Sequence, residues 1–363
     1  MAIRNYWLLF SLGIVVLVNF AGMLIVRRSP KSILENRQLT VRLQSPKSLL
    51  RSPMWLKESL APFLQDTFLY REASIKLNRG IKLAVRDEPN NDVWTGKKGW
   101  LYLASPLVAA RVGPYGDPYS DMFGDKSKHD AAIEFARITR LVDICKKSGS
   151  KLIVLYPPNK ETIYPEFLAT QPPSKKSALD ELEAKLTTLP VQVIRVKSGL
   201  LTAKSDNGNT NLFYQFDTHW NYYGASLIAV NLIDLISELS GFHVHQPVFT
   251  IEQSGLRISD LAVMNQSLSS EPEYIVKFRG SHGHKFIDRY GKVPDCIQRS
   301  RKSPKVLVFR DSFFAFLQPY FMHSNVDMTT CRNGLSFEDI ELKINAEKPN
   351  VVIFERLERF IGD

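Results

Sequence analysis

Two short stretches put reactive side-chain types where a site could be assembled. The first is Arg310-Asp311-Ser312-Phe313, which directly follows the apolar run Val306 to Phe309 and directly precedes a stretch with helical spacing. A serine at a strand-to-helix turn presents its hydroxyl at the top of a sheet, and its own backbone N–H lies where a developing oxyanion is stabilised. Asp and Ser are also the usual helix N-caps, and on residue type alone that is their commoner use. The second stretch is Phe216-Asp217-Thr218-His219-Trp220-Asn221, just ahead of a helical pattern that starts near Tyr222. An Asp and a His two residues apart in an extended loop project the same way, so the carboxylate can hold the imidazole as a base for a hydroxyl opposite. Such a pair arises by chance in roughly a third of chains this size. Placement carries the weight, because α/β sheets build their sites at the carboxyl ends of strands.

Other candidate chemistry is weaker. The pairs His243/His245 and His282/His284 would each point one way from a strand and could bind a metal. No third ligand accompanies either pair, and surface or loop positions account for them. Cys145, Cys296 and Cys331 show no C-x-x-C or Cys/His pattern, so neither compartment nor metal follows from them. The residues call for no cofactor.

The elements that must position these groups alternate along the chain. Val93 to Leu103 reads as a turn and a strand. A helix over about Asp130 to Lys147 precedes the strand Lys151 to Tyr156, and a second over Lys175 to Thr188 precedes Val191 to Val196. A third runs from Tyr222 to Leu239. Further on come strand Lys305 to Phe309, helix Phe313 to Met322, strand Val326 to Cys331, helix Phe337 to Ala346 and strand Asn350 to Glu355. Short, continuously apolar strands interleaved with helices suit a sheet buried on both faces, so the fold class is α/β with a mostly parallel sheet. The stretch of about 242–304, richer in β-branched residues and loops, reads as a β-rich insertion.

Composition bounds the rest. The 363 residues are 44% hydrophobic and 23% charged, enough for a real core, and with 19 Gly and 20 Pro they show no collagen-like, coiled-coil or low-complexity bias. Of the net charge of +10, residues 1–60 hold nine Lys/Arg against Glu35 and Glu58, or +7, leaving +3 for the other 303. That distribution argues against a nucleic-acid face on the globular part and for basic segments beside a membrane. Tyr6 to Val26 runs 21 residues without a charge, long enough to cross a bilayer as a helix. No small-x-small cleavage site precedes Arg27-Arg28, so the reading is an uncleaved anchor over 1–28, a basic Ser/Pro-rich stalk over 29–60 and a folded body over 61–363, with helical spacing from Phe63 to Val85. By the positive-inside rule the cluster after the span belongs on the cytoplasmic side.

In this order the motifs resemble the SGNH-hydrolase-like O-acetyltransferases of bacterial exopolysaccharide modification, the AlgJ/AlgX type that acetylate alginate. The resemblance runs from about Phe63 to Phe360. It takes in Trp94 to Leu103 with Gly99-Trp100-Leu101, Pro157 to Glu166, Asp217-Thr218-His219-Trp220-Asn221 with Gly224 following, Ser259-Asp260-Leu261, Asp311-Ser312-Phe313, and Glu355 to Phe360. It implies a three-layer SGNH-like domain and a catalytic triad in the permuted order Asp217, His219, Ser312. It also implies a single-pass inner-membrane protein with its catalytic domain periplasmic, against the charge rule. The implied partners are a polysaccharide acceptor and an acetyl donor supplied through a membrane-bound O-acyltransferase. This chain departs from the pattern at Arg310, where the family has Gly, and at Arg195, where an acidic residue is usual. Arg310 could narrow the oxyanion site or bring a cation to an anionic acceptor.

Arg310, Asp311, Lys160, Trp220, Asn221 and Arg359 form a second group with a substrate-binding or oxyanion role. For Lys160, Glu166, Glu355 and Arg359 a structural ion pair or strand-end cap accounts for the residue equally well. The same triad would also serve an acetylesterase. A third reading is a non-catalytic, membrane-tethered polysaccharide-binding scaffold, with Trp94, Trp100 and Trp220 as stacking platforms in place of core.

Overall fold

The computed structural model describes residues 93–103, 125–168, 176–206, 210–265, 269–279 and 303–363, with isolated positions 31–32, 37–38, 66, 74, 77 and 296–297. The anchor over 1–28, nearly all of the stalk, the helical reading of Phe63 to Val85 apart from Asp66, Ser74 and Leu77, which are helical, and the pair His282/His284 lie outside the described residues. The chain divides into two compact units, Met1–Asn91 with Ala262–Ser269 and Asp92–Leu261 with Ser270–Asp363. In the first, Lys31–Ser32 pairs antiparallel with Arg37–Gln38. The second contains the sheet and both stretches singled out above.

Strands β1 (Val93–Thr95) and β2 (Leu101–Leu103) form a small antiparallel hairpin. Helix α1 (Asp125–Ser148) leads into β3 (Lys151–Leu155), followed by the single turn α2 (Lys160–Ile163) and helix α3 (Ala178–Leu186). Then come β4 (Gln192–Ile194), α4 (Val196–Asp206) and α5 (Tyr222–Ser240). A long antiparallel hairpin, β5 (Phe249–Ile258) and β6 (Ser270–Phe278), brackets the short helix α6 (Asp260–Met264). The chain finishes with β7 (Cys296–Ile297), β8 (Lys305–Arg310), α7 (Gln318–Met322), β9 (Asp327–Arg332), α8 (Phe337–Glu347) and β10 (Val351–Glu355).

Among the described residues, six strands form the central sheet in the order β4-β3-β10-β8-β9-β7, with only the edge strand β7 antiparallel. The near-continuous apolar runs are explained by burial on both faces. Ile153, Leu155, Val306, Val308, Val351 and Ile353 face a core shared with α4, α5 and α7. Their neighbours Leu152, Val154, Leu307, Phe309, Val352 and Phe354 face a second core with α1, α3 and α8. The result is three layers, helices on each side of one sheet. In α3, Leu179, Leu182 and Leu186 are fully buried, each contributing at most about 1.5–3 kcal/mol.

Three differences from the sequence reading go beyond a shifted helix or strand end. The strand expected to reach Val196 ends at Ile194, because Val196 and Leu200, one helical turn apart, bury together as the stripe of α4. The single helix expected over Phe313 to Met322 is a 3-10 turn, Ser312–Phe316, followed by α7. Pro319 in the first turn of α7 explains the break, since it has no N–H to continue a helix through that point. The turn-and-strand region Val93 to Leu103 is two strands, β1 and β2. Among the described residues, α5 is long and apolar enough to cross a membrane, yet Ala225, Ile228, Ala229, Leu232, Ile233 and Ile236 bury against the sheet, so here it is a core helix.

Candidate active site

The loop before α5 is held on all sides. Tyr214 N–H donates to the His219 carbonyl, Asn221 N–H to the Leu212 carbonyl, and Leu212 N–H to the Tyr164 hydroxyl. Asn221 caps α5, its Oδ1 accepting from the N–H groups of Tyr223 and Gly224 at 2.9 and 3.2 Å and its Nδ2 donating to the Asn211 carbonyl. Gly224 is required by close approach, since a Cβ there would lie 2.5 Å from the Leu212 oxygen. Lys160, 2% exposed, spends its three ammonium protons on the carbonyls of Tyr214, Gln215 and Asp217 at 3.2, 3.1 and 2.7 Å. Burial lowers its pKa to about 8, against the pull of Glu271, Asp260 and Asp217. Trp220 is fully buried and donates its indole N–H to the Phe313 carbonyl. The structure thus places Lys160, Trp220 and Asn221 as fasteners of the loop, with their polar atoms turned inward and not toward an acceptor.

This loop brings the three separated side chains together. His219 Nδ1 faces Asp217 Oδ1 at 2.7 Å, and His219 Nε2 lies 3.0 Å from Ser312 Oγ. Asp217 also accepts from the His219 backbone N–H at 3.1 Å, which fixes acid and base within one local turn. The side chains grade outward from Asp217 at 3% exposure through His219 at 20% to the exposed Ser312. Phe313 and Phe316 flank the imidazole, with centroids 4.8 and 5.6 Å from its ring.

Beyond these three, the β5–β6 hairpin contributes groups that spacing in the sequence does not single out. Arg257 Nη2 lies 2.6 Å from Asp217 Oδ2, with its guanidinium 4.3 Å over the Tyr214 ring. Burial works against charge on both partners, yet the His219 bond and the His219 and Arg257 charges hold Asp217 well below the usual carboxylate range. Burial opposes the charge on Arg257, and Asp217, Tyr214 and Glu271 together outweigh it and raise Arg257. Asp260 takes the Thr218 N–H on Oδ1 at 2.9 Å and the Thr218 hydroxyl on Oδ2 at 2.6 Å, and Oδ2 is 3.7 Å from His219 Nδ1. Burial, then the Asp217 charge, pushes Asp260 up to about 6. Glu271 accepts from the Ser259 hydroxyl and, at 3.1 Å, from the Phe216 N–H. Asp260 was visible only as part of Ser259-Asp260-Leu261; Arg257 and Glu271 gave no signal. Ligand atoms of Asp217, His219 and Asp260 lie within 4.8 Å of one another, a spacing that suits a cation. Here their oxygens already accept from Arg257, His219, Thr218 and Leu261.

On the strand side, Ser312 follows β8 in the 3-10 turn capped by Asp311. The Ser312 N–H, assigned from sequence to an oxyanion, donates to Asp311 Oδ1 at 2.9 Å, so an acyl oxygen could take it only after that carboxylate withdraws. Asp311 N–H donates to Glu355 Oε2, while Glu355 Oε1 is buried without a partner. Burial raises Glu355 to about 8, with Arg310 opposing. Among the described residues, the Arg310 side chain hydrogen-bonds only the Asp311 carbonyl, at 3.4 Å. Arg359, in the turn Glu358–Phe360, acts electrostatically on Glu161, whose carboxyl burial raises. Glu166 pairs with Lys204 at the surface.

Helices on both faces of one mostly parallel sheet give an α/β fold that is similar to an SGNH-hydrolase-like domain. Residues 93–264 match the family model described as the SGNH hydrolase-like domain of acetyltransferase AlgX, so the AlgJ/AlgX resemblance is shown over a segment that holds Asp217 and His219 and stops short of Ser312. A probable alginate O-acetylase AlgJ of Pseudomonas syringae pv. tomato is 24% identical over 180 residues, 49% of this chain; the chain spans 41% of that relative's length. Among solved structures, Bacillus cereus PatB1 aligns with a TM-score of 0.51 at 15% identity, covering 75% of this chain and 97% of that one, which shows the fold. The O-acetyltransferase domain of Pseudomonas putida AlgJ aligns with a TM-score of 0.49 at 17% identity over 74% of this chain and 92% of that one.

Proposed function

We propose that this protein is an O-acetyltransferase that acetylates hydroxyls of an exported polysaccharide through a serine nucleophile. The observation that carries the reading is the relay from Ser312 Oγ through His219 to Asp217, at 3.0 and 2.7 Å. Ser312 Oγ attacks the acetyl carbonyl as His219 Nε2 takes its proton. The tetrahedral intermediate collapses, and the leaving group departs with that proton. A sugar hydroxyl then attacks the acetyl-serine, His219 takes the hydroxyl proton and returns it to Ser312 Oγ, and the acetylated sugar leaves. Asp217 holds the ring orientation and stabilises the imidazolium. Every proton in this cycle is carried by the chain's own groups, so no cofactor is invoked. The name of the curated relative, alginate O-acetylase, supports a polysaccharide acceptor. Delivery of the acetyl group by a membrane-bound O-acyltransferase, anchoring through the N-terminal apolar segment and a periplasmic site complete the proposal.

The exposure of Ser312 favours a second reading, acetylesterase, because water reaches an open acyl-serine. Incubating the full-length protein with a chromogenic acetyl ester, with and without oligosaccharide, separates them: the transferase makes acetylated sugar, the esterase only acetate. Ser312→Ala is expected to abolish both activities with an unchanged melting temperature. Undiminished turnover by that variant rejects the serine mechanism.

A further inference from the structure

The triad carries a charge problem of its own. Asp217 is the acid that should stabilise an imidazolium, yet its second oxygen is held by Arg257 at 2.6 Å. When His219 takes the serine proton, the group Arg257, Asp217 and His219 would carry a net positive charge around a carboxylate side chain only 3% exposed. Excess charge in a poorly solvated site raises the barrier of the step that creates it. A second anion is already in place. Asp260 Oδ2 stands 3.7 Å from His219 Nδ1, and Thr218 Oγ1 bridges them, 3.0 Å from Nδ1 and 2.6 Å from Oδ2.

We infer that Asp260 is a charge-compensating and positioning residue that, through Thr218 and across 3.7 Å, restores the negative charge which Arg257 withdraws from the Ser312–His219–Asp217 relay. The inference rests on the acyl-transfer reading and deepens it: the unit that handles the proton is five residues, Asp217, Thr218, His219, Arg257 and Asp260, in one balanced network. The other charged and titratable groups facing it have different tasks. Lys160 is committed to three carbonyls, Glu271 to Ser259 and Phe216, and Tyr214 lies under the Arg257 guanidinium. Burial and the Asp217 charge leave Asp260 titrating at about 6, so it is mostly anionic at neutral pH and responds to the charge on its neighbours.

The test uses a fluorophosphonate probe, which reacts with an activated serine and needs no knowledge of donor or acceptor, on the full-length protein. The second-order labelling rate of Ser312 is followed from pH 4.5 to 9. In Asp260→Asn the loss of an anion disfavours the imidazolium, so the acid limb moves down by about one pH unit and the plateau rate falls about tenfold. In Arg257→Gln the loss of a cation moves the limb the opposite way. Asp260→Glu keeps the charge and is expected to restore the limb to its wild-type position. A merely structural Asp260 would lower the rate or the melting temperature without moving the limb. An unmoved limb in folded Asp260→Asn therefore overturns the inference while wild-type labelling preserves the nucleophile reading. If Asp260→Asn does not fold, an unmoved limb in Arg257→Gln overturns it instead. Wild-type protein that is not labelled at all rejects the nucleophile itself and this inference with it.

Discussion

Asp217 and Glu355 are both buried carboxyl groups near Ser312, the proposed nucleophile, one on the loop before α5 and the other at the end of β10, and their surroundings push them in opposite directions. Asp217 accepts from His219 and Arg257, so its charge is held although almost no water reaches it. Glu355 accepts one backbone N–H and has Arg310 only at a distance, so burial raises it to about 8 and it stays protonated at neutral pH. Burial alone therefore does not decide ionisation here; the number of donors does. The loop side supplies a fixed negative charge for proton transfer. The strand side holds a neutral acid against the peptide that carries the serine.

Removing the loop-side charge should have the largest effect. Asp217→Asn keeps the shape, but an amide presents a donor as readily as an acceptor to Nδ1 and leaves Arg257 unpaired. Acyl transfer and probe labelling are expected to fall by about 10³–10⁴-fold, with kcat affected more than KM. Retention of more than a tenth of wild-type labelling would show that the carboxylate is dispensable.

The frame around that charge comes next. In Lys160→Met three carbonyls lose the shared donor of a buried side chain, a loss of about 3–5 kcal/mol in unfolding free energy. Because those carbonyls belong to the segment that carries Asp217, labelling should fall with stability. Urea unfolding with a wild-type midpoint would mean that the loop stands without Lys160.

What the sequence could and could not convey follows the same division. Ser312, Asp217 and His219 were legible because each sits where a change of periodicity marks a strand end or a helix start, and because Asp and His lie within one short motif. The parallel sheet was legible from its uniformly apolar strands. Arg257 and Glu271 were not, because they lie on a hairpin whose exposed and half-buried residues carry no clean alternation, and they reach Asp217 and Phe216 only after folding brings positions about 40 and 55 residues apart together. Lys160 was singled out, but residue type could not tell a lysine aimed at a ligand from one aimed at three carbonyls. Residue type left Asp311-Ser312 open between an oxyanion site and a helix cap, and the structure has Asp311 capping the Ser312 N–H.

The strand-side acid gives a pH signature. The Glu355 pKa is raised above its ordinary 4.5, so between that value and about 8 the folded chain holds a proton that the unfolded chain has released. The associated stability is full below 4.5 and is lost as pH rises through about 8. Wild-type stability is expected to fall by about 3–4 kcal/mol between pH 5 and 8 from this group, and Glu355→Gln, neutral throughout, should flatten that slope. An unchanged slope would mean that the carboxyl ionises without penalty.

Arg310 yields the smallest and sharpest effect. Its only side-chain bond among the described residues is the 3.4 Å contact with the Asp311 carbonyl, so Arg310→Gln should cost under about 1 kcal/mol in stability. Its charge opposes the rise of Glu355, so removing it should move the midpoint of the pH-dependent stability loss to higher pH without changing the amplitude below pH 5. Labelling of Ser312 should stay within a factor of about three of wild type, because no contact joins Arg310 to the triad among the described residues. A loss of labelling beyond a hundredfold in a folded Arg310→Gln protein would place this guanidinium at the reacting carbonyl, and the strand side would then supply charge to the reaction as the loop side does.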